Sequence, residues 1–589
     1  MDQLISIITF INDNILWGIP LIVAILGTGI VMTIRTKGLQ VRKFGDSISS
    51  TIVPTVKGIF KKKDKEKSKD KKTVSQFEAF AAAISGTVGT GNIVGIAGAM
   101  LSGGPGAVFW MWVSAFFGLI TNYSENVLGL YYRKRNAKGE MCGGPMYYIS
   151  NGMNCKWLAL IFALCCSLAA VGMGMVQSNS MAGTLQSAFS GGDEQTAKII
   201  GIVVGVVVVI LTALIVIGGI KRIGRIASII VPFMALFFII LAVVIICINI
   251  TAVPAAFALI FQSAFSFKAV GGGMFGYMLL VGMRYGFARG VFSNEAGLGS
   301  SVIAHSASDT KEPVMQGLWG IFEVFLDTFV ICTLTAISLI TVSMKSGALD
   351  FTNIVGNSGI GKNDIASMAF TETFGQFGEI AFAIILPLFA FTTILAWSYY
   401  GEKAVEYLFG EKYGKKFATA FKFIYVGLLF VGAIAKSELV WQLDDMFNAL
   451  MALPNLISVI ALSGIVVQIS KNYYDRKKGL DVYPMLSAYP EINEQQTHIQ
   501  ELESRCKLFT VLFAKEILYR FFAVIGPCQD CSKCKQRQDD CKCDFTKLTK
   551  RLRKSHRCDI VFADTGVAND ICKIKSAGLH RNSNQRDSR

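Results

Sequence analysis

The chain alternates long apolar runs with short polar stretches. The runs are long enough for helices that cross a bilayer, which takes roughly 20 predominantly apolar residues. The pattern predicts eleven spans, at about 15–35, 75–100, 104–132, 157–186, 197–219, 223–249, 271–304, 314–343, 376–408, 415–436 and 438–470. Two of them break the pattern. The second opens near Glu78 and is interrupted at its centre by SGTVGTGNIVG, residues 85–95, which crowds four glycines, two threonines and an asparagine into eleven positions. The seventh carries Arg284, Arg289, Glu295 and His305, with SNEAG at 293–297 as its polar core.

The two polar cores lie about 200 residues apart. Interrupted helices at corresponding positions of two halves point to a mid-membrane binding site in a transporter. If spans 2–6 and 7–11 are five-helix repeats, the interrupted helix comes first in each, and the odd helix count inverts the second copy. A helix that unwinds in lipid exposes backbone N–H and C=O groups, so unwinding is tolerated only where the backbone lines a cavity or binds something. Glycine permits the unwinding and lets a ligand approach the backbone. Carbonyls at the end of the first half-helix suit a cation, and N–H groups at the start of the second suit a carboxylate. Thr87, Thr90 and Asn92 add neutral oxygens for a hard cation. An amino acid bound together with Na⁺ fits this set. The competing reading is close helix packing through Gly91 and Gly95, a G-x-x-x-G pair; it accounts for the glycines but not for the Thr–Gly–Asn cluster.

Composition and charge narrow the class. Hydrophobic residues make up 52% and charged residues 17% of the 589, with a mean hydropathy of +0.49. MDQLISIITFINDN lacks the basic segment and cleavage site of a secretory signal. The net charge of +16 invites a nucleic-acid partner, but none is expected, because the base lies in loops and in the tail. KKKDKEKSKDKK (61–72) has eight Lys against three acids, and residues 471–589 have 23 Lys or Arg against 15 acids. RKRNAKG, KRIGR, GEKYGKK and KNYYDRKK are basic too, whereas GGDEQ and the 346–364 loop are poor in base. With eleven spans all basic loops fall on one side, the cytoplasmic one, which places the N-terminus outside and the C-terminus inside. No Ser/His/Asp set, P-loop or strand-linked G-x-G-x-x-G is found, so an enzyme is not expected. A channel would need a continuous polar path rather than two dissimilar breaks. A transporter-like nutrient sensor and an H⁺-coupled symporter stay open as alternatives.

The stretches 86–118, CGGPMYYI (142–149), GMGMVQSNSMA (172–182), 283–308 and FTTILAWSYYGE (391–402) closely resemble the alanine or glycine:cation symporter family, the bacterial sodium:alanine symporters. The resemblance runs from about residue 12 to 475. It implies an all-α membrane protein of the leucine-transporter type, with a 5+5 inverted repeat and one extra N-terminal helix, in the bacterial cytoplasmic membrane. It implies Na⁺-coupled, sometimes H⁺-coupled, uptake of alanine, glycine or similarly small neutral amino acids. By resemblance the amides of Gly89, Thr90 and Gly91 take the substrate carboxylate, and Gln177 reaches it from the fourth span. Ser293, Asn294 and Glu295 line the second break, where Glu295 either holds the amino group or braces the unwound backbone. Trp397, four residues after Thr393, is the candidate lid over the substrate side chain. Aligned with the equivalent turn of the bacterial leucine transporter, Ser85 and Val88 supply carbonyls to Na⁺, and Thr392 and Thr393 supply hydroxyls. A second cation near Thr87 and Asn92 is compatible with the same residues.

The expected domains are 1–74, an N-terminal helix and basic loop; 75–270 and 271–478, the two repeats; and 479–589, a cytoplasmic tail. Further intramembrane charges are Glu125, Glu323, Asp327, Asp444 and Asp445, and Glu323 and Asp327 are candidate ion-pair partners of Arg284 and Arg289. In the tail Cys528, Cys531 and Cys534, followed by Cys541 and Cys543, have a spacing that suits Zn²⁺ or an iron–sulfur cluster. His556 and Cys558 are further ligand candidates, and the alternative is a disordered basic tail with unligated thiols. A stretch of about 485–525 contains an amphipathic segment able to lie on the bilayer surface.

Overall fold

The computed structural model describes residues 2–55, 73–136, 139–265, 274–347, 349 and 361–500. The basic run at 61–72 and the whole Cys-rich tail, with its candidate metal ligands, lie outside the described residues. Among those described, eight helices are long and apolar enough to cross a membrane. In chain order, the spanning helices and those that frame the breaks are α1 (Asp2–Ile11), α2 (Ile19–Arg35), α3 (Gln76–Thr87), α4 (Val94–Gly103), α5 (Gly106–Tyr131), α6 (Lys156–Phe189), α7 (Glu194–Val216), α8 (Gly219–Ile248), α9 (Met274–Asn294), α10 (Ser301–His305), α11 (Pro313–Ser346), α12 (Gln376–Leu408), α13 (Gly410–Ile434), α14 (Ser437–Ala461) and α15 (Ser463–Lys477). The eight are α5–α8 and α11–α14, and the bent pair around α1 and α2 makes a ninth. The bend of 43° falls at Gly18, just before the proline that opens α2, and proline fits a helix start better than its interior. The two remaining predicted spans are those with polar cores. Both are split, into α3 with α4 and α9 with α10.

Local chemistry explains the odd starts. Glu78 is no lone charge in an apolar span. It closes a capping box in which Ser75 Oγ accepts the Glu78 N–H at 3.2 Å and Glu78 Oε2 accepts the Ser75 N–H at 2.9 Å, so the acid sits at a helix N-terminus where it is stabilising. At α7, Asp193 accepts from Thr196 Oγ1 and the Thr196 N–H, which hold its carboxyl below the usual carboxylate range.

Helix α6 packs along α12, α13 and α14, while α5 packs along α9 and α11. α3 lies between α8, α10 and α12. This brings both split helices against the centre of the bundle. The intramembrane arginines find partners other than those the sequence suggests. Arg289 forms a two-pronged pair with Asp445 of α14, at 2.9 and 2.6 Å, and its guanidinium also lies over Phe292 and Trp441. Arg284 pairs with Asp13 at 3.4 Å. The sequence does not show that α14 and the N-terminal segment approach α9 on this face. Removing one member of a pair this buried leaves the other charge uncompensated, which costs about 3–5 kcal/mol. Arg289→Gln is therefore expected to lower the melting temperature of the purified protein, and the charge-swapped double variant Arg289→Asp/Asp445→Arg is expected to recover part of the loss. Melting curves unchanged by Arg289→Gln would show that the pair contributes nothing.

Candidate functional site

The first break follows from its residue types. Val88 leaves helical geometry at φ −81° and ψ 89°, and Gly89 is extended at φ −134° and ψ −154°. One 3-10 turn, Thr90–Asn92, then leads into α4. The backbone groups freed by unwinding are taken by side chains, as a lipid setting demands. Asn92 Oδ1 accepts the Gly89 N–H at 2.8 Å, and Gln177 Oε1 accepts the Thr90 N–H at 3.1 Å. From α12, Thr393 Oγ1 donates to the Ser85 carbonyl at 2.9 Å.

The second break begins where α9 stops at Asn294. Glu295, Gly297 and Gly299 adopt left-handed φ values of 55°, 97° and 74°. Glycine takes such values freely, but a glutamate held there stores about 1–3 kcal/mol, which its surroundings must enforce. The surroundings do so. Glu125 Oε1 accepts the Gly297 N–H at 3.0 Å, and Asn455 Nδ2 donates to the Gly297 carbonyl at 2.9 Å. Asn294 Oδ1 accepts the Ala296 N–H at 3.0 Å. The Glu295 side chain is split in its contacts. Oε2 accepts from Ser300 Oγ at 2.5 Å, while Oε1 is buried, with the Trp397 indole beside the carboxylate.

The two breaks touch. A methyl group on Gly86 would lie 2.7 Å from Tyr400 Oη and 3.1 Å from Glu295 Oε1, and one on Gly91 would lie 2.9 Å from the Phe292 ring. These glycines are small because the other break needs the space. Gly95 is different: a methyl there would meet nothing nearer than 3.9 Å, so the Gly91–Gly95 spacing is not a close helix contact. Asp327, in a π-helical stretch (Phe325–Cys332) of α11, joins the breaks by accepting from Asn92 Nδ2 at 2.5 Å and Ser293 Oγ at 2.9 Å. Beside it, Thr328 Oγ1 accepts from Asn294 Nδ2 at 3.0 Å.

The structure thus brings Ser85, Gly89, Thr90, Asn92, Gln177, Ser293, Asn294, Glu295 and Thr393 into one region. Ser85, Thr90, Asn92, Ser293, Glu295 and Trp397 are 0% exposed, so in this conformation these side chains are closed off from solvent. Two residues stand apart from their expected contacts. Thr87 Oγ1 donates to the Ile84 carbonyl at 3.2 Å and Thr392 Oγ1 to the Phe389 carbonyl at 3.0 Å, each within its own helix, a common fate of membrane threonines. Trp397 is edge-on to Tyr400 with ring centroids 5.4 Å apart, and its indole N–H faces the Glu295 carboxylate. Thr90 Oγ1 is buried and unpartnered. Near the cytoplasmic end predicted for its helix, His305 bonds to Glu323 at 2.8 Å and to Gln316 at 2.6 Å.

Sequence reasoning did not single out Asp327, Tyr400, Phe292 or Asn455 for this site. Only Asp327 carried a signal, as one of the acids, with Glu323, inside the apolar run of the eighth span. Among the described residues no group of three or more His, Cys, Asp or Glu is placed to hold a metal ion. A cleft of about 350 Å³ lined by Tyr131, Tyr132, Ile465 and Tyr489 lies at the ends of α5 and α15, away from both breaks.

Residues 1–484 match the model of the sodium:alanine symporter family. The chain is 40% identical over 479 residues to the sodium/alanine symporter AgcS of Methanococcus maripaludis, covering 80% of this chain and 98% of that one. It is 34% identical over 479 residues to the probable sodium/glutamine symporter GlnT of Bacillus subtilis, covering 81% and 92%. Among solved structures, MhsT in complex with L-phenylalanine aligns with a TM-score of 0.46 at 15% identity, over 69% of this chain and 99% of that one.

Proposed function

The chain belongs to the sodium:alanine symporter family, and we propose that it couples Na⁺ entry to the uptake of alanine, glycine or a similarly small neutral amino acid by alternating access. The family makes it a multi-pass membrane transporter, not an enzyme, with Na⁺ as the co-transported ion. One observation carries the finer reading: the Thr393 hydroxyl meets the Ser85 carbonyl directly beside the Gly89 and Thr90 amides. Hydroxyl and carbonyl oxygens suit a hard cation, and adjacent N–H groups at a helix start suit a carboxylate.

In this reading Ser85 and Val88 carbonyls, Thr393 Oγ1 and the Asn92 side-chain oxygen surround Na⁺, joined by Thr392 once its hydroxyl leaves its own helix. The amides of Gly89, Thr90 and Gly91 take the substrate carboxylate. Gln177 Oε1 already sits on the Thr90 N–H, where a carboxylate oxygen would go. On binding, the carboxamide turns and offers its N–H₂ instead. Glu295 Oε1 receives the amino group while Oε2 keeps the Ser300 brace. Trp397 closes over the side chain and leaves room for little more than a methyl group. Thr87 lies at the edge of the cation region, and Ser293 and Asn294 shape the second break.

The architecture proposed for this mechanism is one N-terminal helix followed by two inverted five-helix repeats, 75–270 and 271–478. With eleven crossings and the basic loops inside, the N-terminus lies outside and residues 479–589 lie in the cytoplasm. Because Na⁺ and substrate stabilise the same arrangement of the breaks, each raises the other's affinity by one shared factor. A potential of about −100 mV adds roughly 2.3 kcal/mol per Na⁺ entering.

Gln177→Ala tests the substrate half. A hydrogen bond to a charged group contributes about 1.5–3 kcal/mol, so alanine affinity is expected to fall at least about tenfold, with Na⁺ affinity changed less than threefold. Equilibrium binding of labelled alanine to the purified protein reads both. Unchanged alanine affinity would remove Gln177 from the site.

A further inference from the structure

Asp327 is fully buried, and its carboxylate accepts four hydrogen bonds. Oδ1 accepts from Asn92 Nδ2 at 2.5 Å and from Ser293 Oγ at 3.1 Å; Oδ2 accepts from Ser293 Oγ at 2.9 Å and from Thr328 Oγ1 at 2.8 Å. The residue sits in the π-helical stretch, where an extra residue in the turn rotates the rest of the helix by roughly 100° and turns a different face inward. The Asn92 amide has one orientation that fits. Its oxygen accepts the Gly89 N–H at 2.8 Å, so its nitrogen must point away from the backbone, and it points at Asp327. A continuous path results: the Gly89 N–H, Asn92, Asp327 and Ser293. It starts at an amide of the first break and ends in the second.

We propose that Asp327 is a positioning residue that locks the two breaks into one hydrogen-bonded unit and so sets how strongly the cation and the amino acid raise each other's affinity; the inference rests on the symporter reading above. When a substrate carboxylate takes the Gly89 N–H, Asn92 Oδ1 is released. Asp327 still holds the nitrogen end, so the freed oxygen stays aimed at the break and becomes a cation ligand. In the reverse order, a cation that claims Asn92 Oδ1 frees the Gly89 N–H for the carboxylate. The same carboxylate transmits the shift to Ser293 and thus to the second break.

The test is equilibrium binding of labelled alanine to the full-length protein, titrated with Na⁺ at constant ionic strength in K⁺. It compares the wild type, Asp327→Asn and Ser293→Ala. In Asp327→Asn an N–H₂ group that cannot accept replaces one oxygen, and in Ser293→Ala the second limb of the path is cut. Each variant is expected to reduce the factor by which Na⁺ tightens alanine binding, about tenfold for Asp327→Asn, so that alanine affinity falls more in Na⁺ than in K⁺. A purely structural residue would instead weaken binding equally in Na⁺ and K⁺. If Asp327→Asn does not fold, Ser293→Ala decides. A variant Na⁺ factor within twofold of the wild type, or equal losses in both salts, overturns the inference alone. A wild type that binds alanine identically in Na⁺ and K⁺ overturns the symporter reading and this inference with it.

Discussion

Gly89→Ala is expected to cut Na⁺-driven alanine uptake by about 100-fold or more while leaving the helical fold intact. The Cβ it adds would lie 2.5 Å from Thr393 Oγ1 and 3.3 Å from Gln177 Oε1. Neither neighbour is a loose chain end. Thr393 is a short branched side chain whose hydroxyl bonds to both the Ser85 and Phe389 carbonyls, and Gln177 is held on the Thr90 amide. Overpacking of this kind costs about 1–3 kcal/mol in itself, and here the atoms displaced are those assigned to the cation and the carboxylate. Gly95→Ala is the matched control. It lies in α4, where the new methyl group would make only ordinary contacts, with Arg289 and Trp441 at 3.9 Å, and alanine favours a helix over glycine by about 1 kcal/mol. Uptake by Gly95→Ala is expected to stay within threefold of wild type. If both variants lose uptake equally, the stretch is packing rather than site. If both transport normally, the close approach at Gly89 is irrelevant to function.

Thr393→Val is expected to raise the Na⁺ concentration for half-maximal uptake by about 10–100-fold, with near-normal alanine affinity at saturating Na⁺. The substitution keeps the side-chain shape and removes the hydroxyl that reaches Ser85; a group bonding to a charge contributes about 1.5–3 kcal/mol. Thr392→Val, one residue earlier, removes a hydroxyl that bonds within its own helix and to Met234. Its half-maximal Na⁺ concentration is expected to shift less than threefold. Equal effects at both positions would mean that Thr392 turns to the ion in a conformation other than the one seen here. An effect at Thr392 alone would move the ion away from Ser85.

Both breaks are legible in the sequence because glycine, threonine, asparagine and glutamate are costly in apolar spans, and their cost calls for a function. Ser85 with Thr393 and Thr90 with Gln177 are separated by hundreds and by tens of residues. No periodicity joins them, so resemblance, not pattern, brought them together. Three features were beyond reach for physical reasons. The aim of Asp327 depends on a π-helical stretch that no hydropathy pattern marks. The direction of the Asn92 amide depends on which end meets the Gly89 N–H. The Arg289–Asp445 pair depends on how α9 crosses α14, and an arginine has several acids within plausible reach of its span. Glu78 shows the opposite failure, a charge that looked anomalous in a span and is an ordinary helix cap.

The central claim is that a Na⁺ gradient drives an amino acid through this chain. It is tested most directly by uptake of labelled alanine and glycine into proteoliposomes under an imposed Na⁺ gradient, an imposed proton gradient, or neither. Accumulation with the Na⁺ gradient, absent in the other two conditions, is the predicted result. Accumulation under the proton gradient alone, or under no gradient at all, would contradict it.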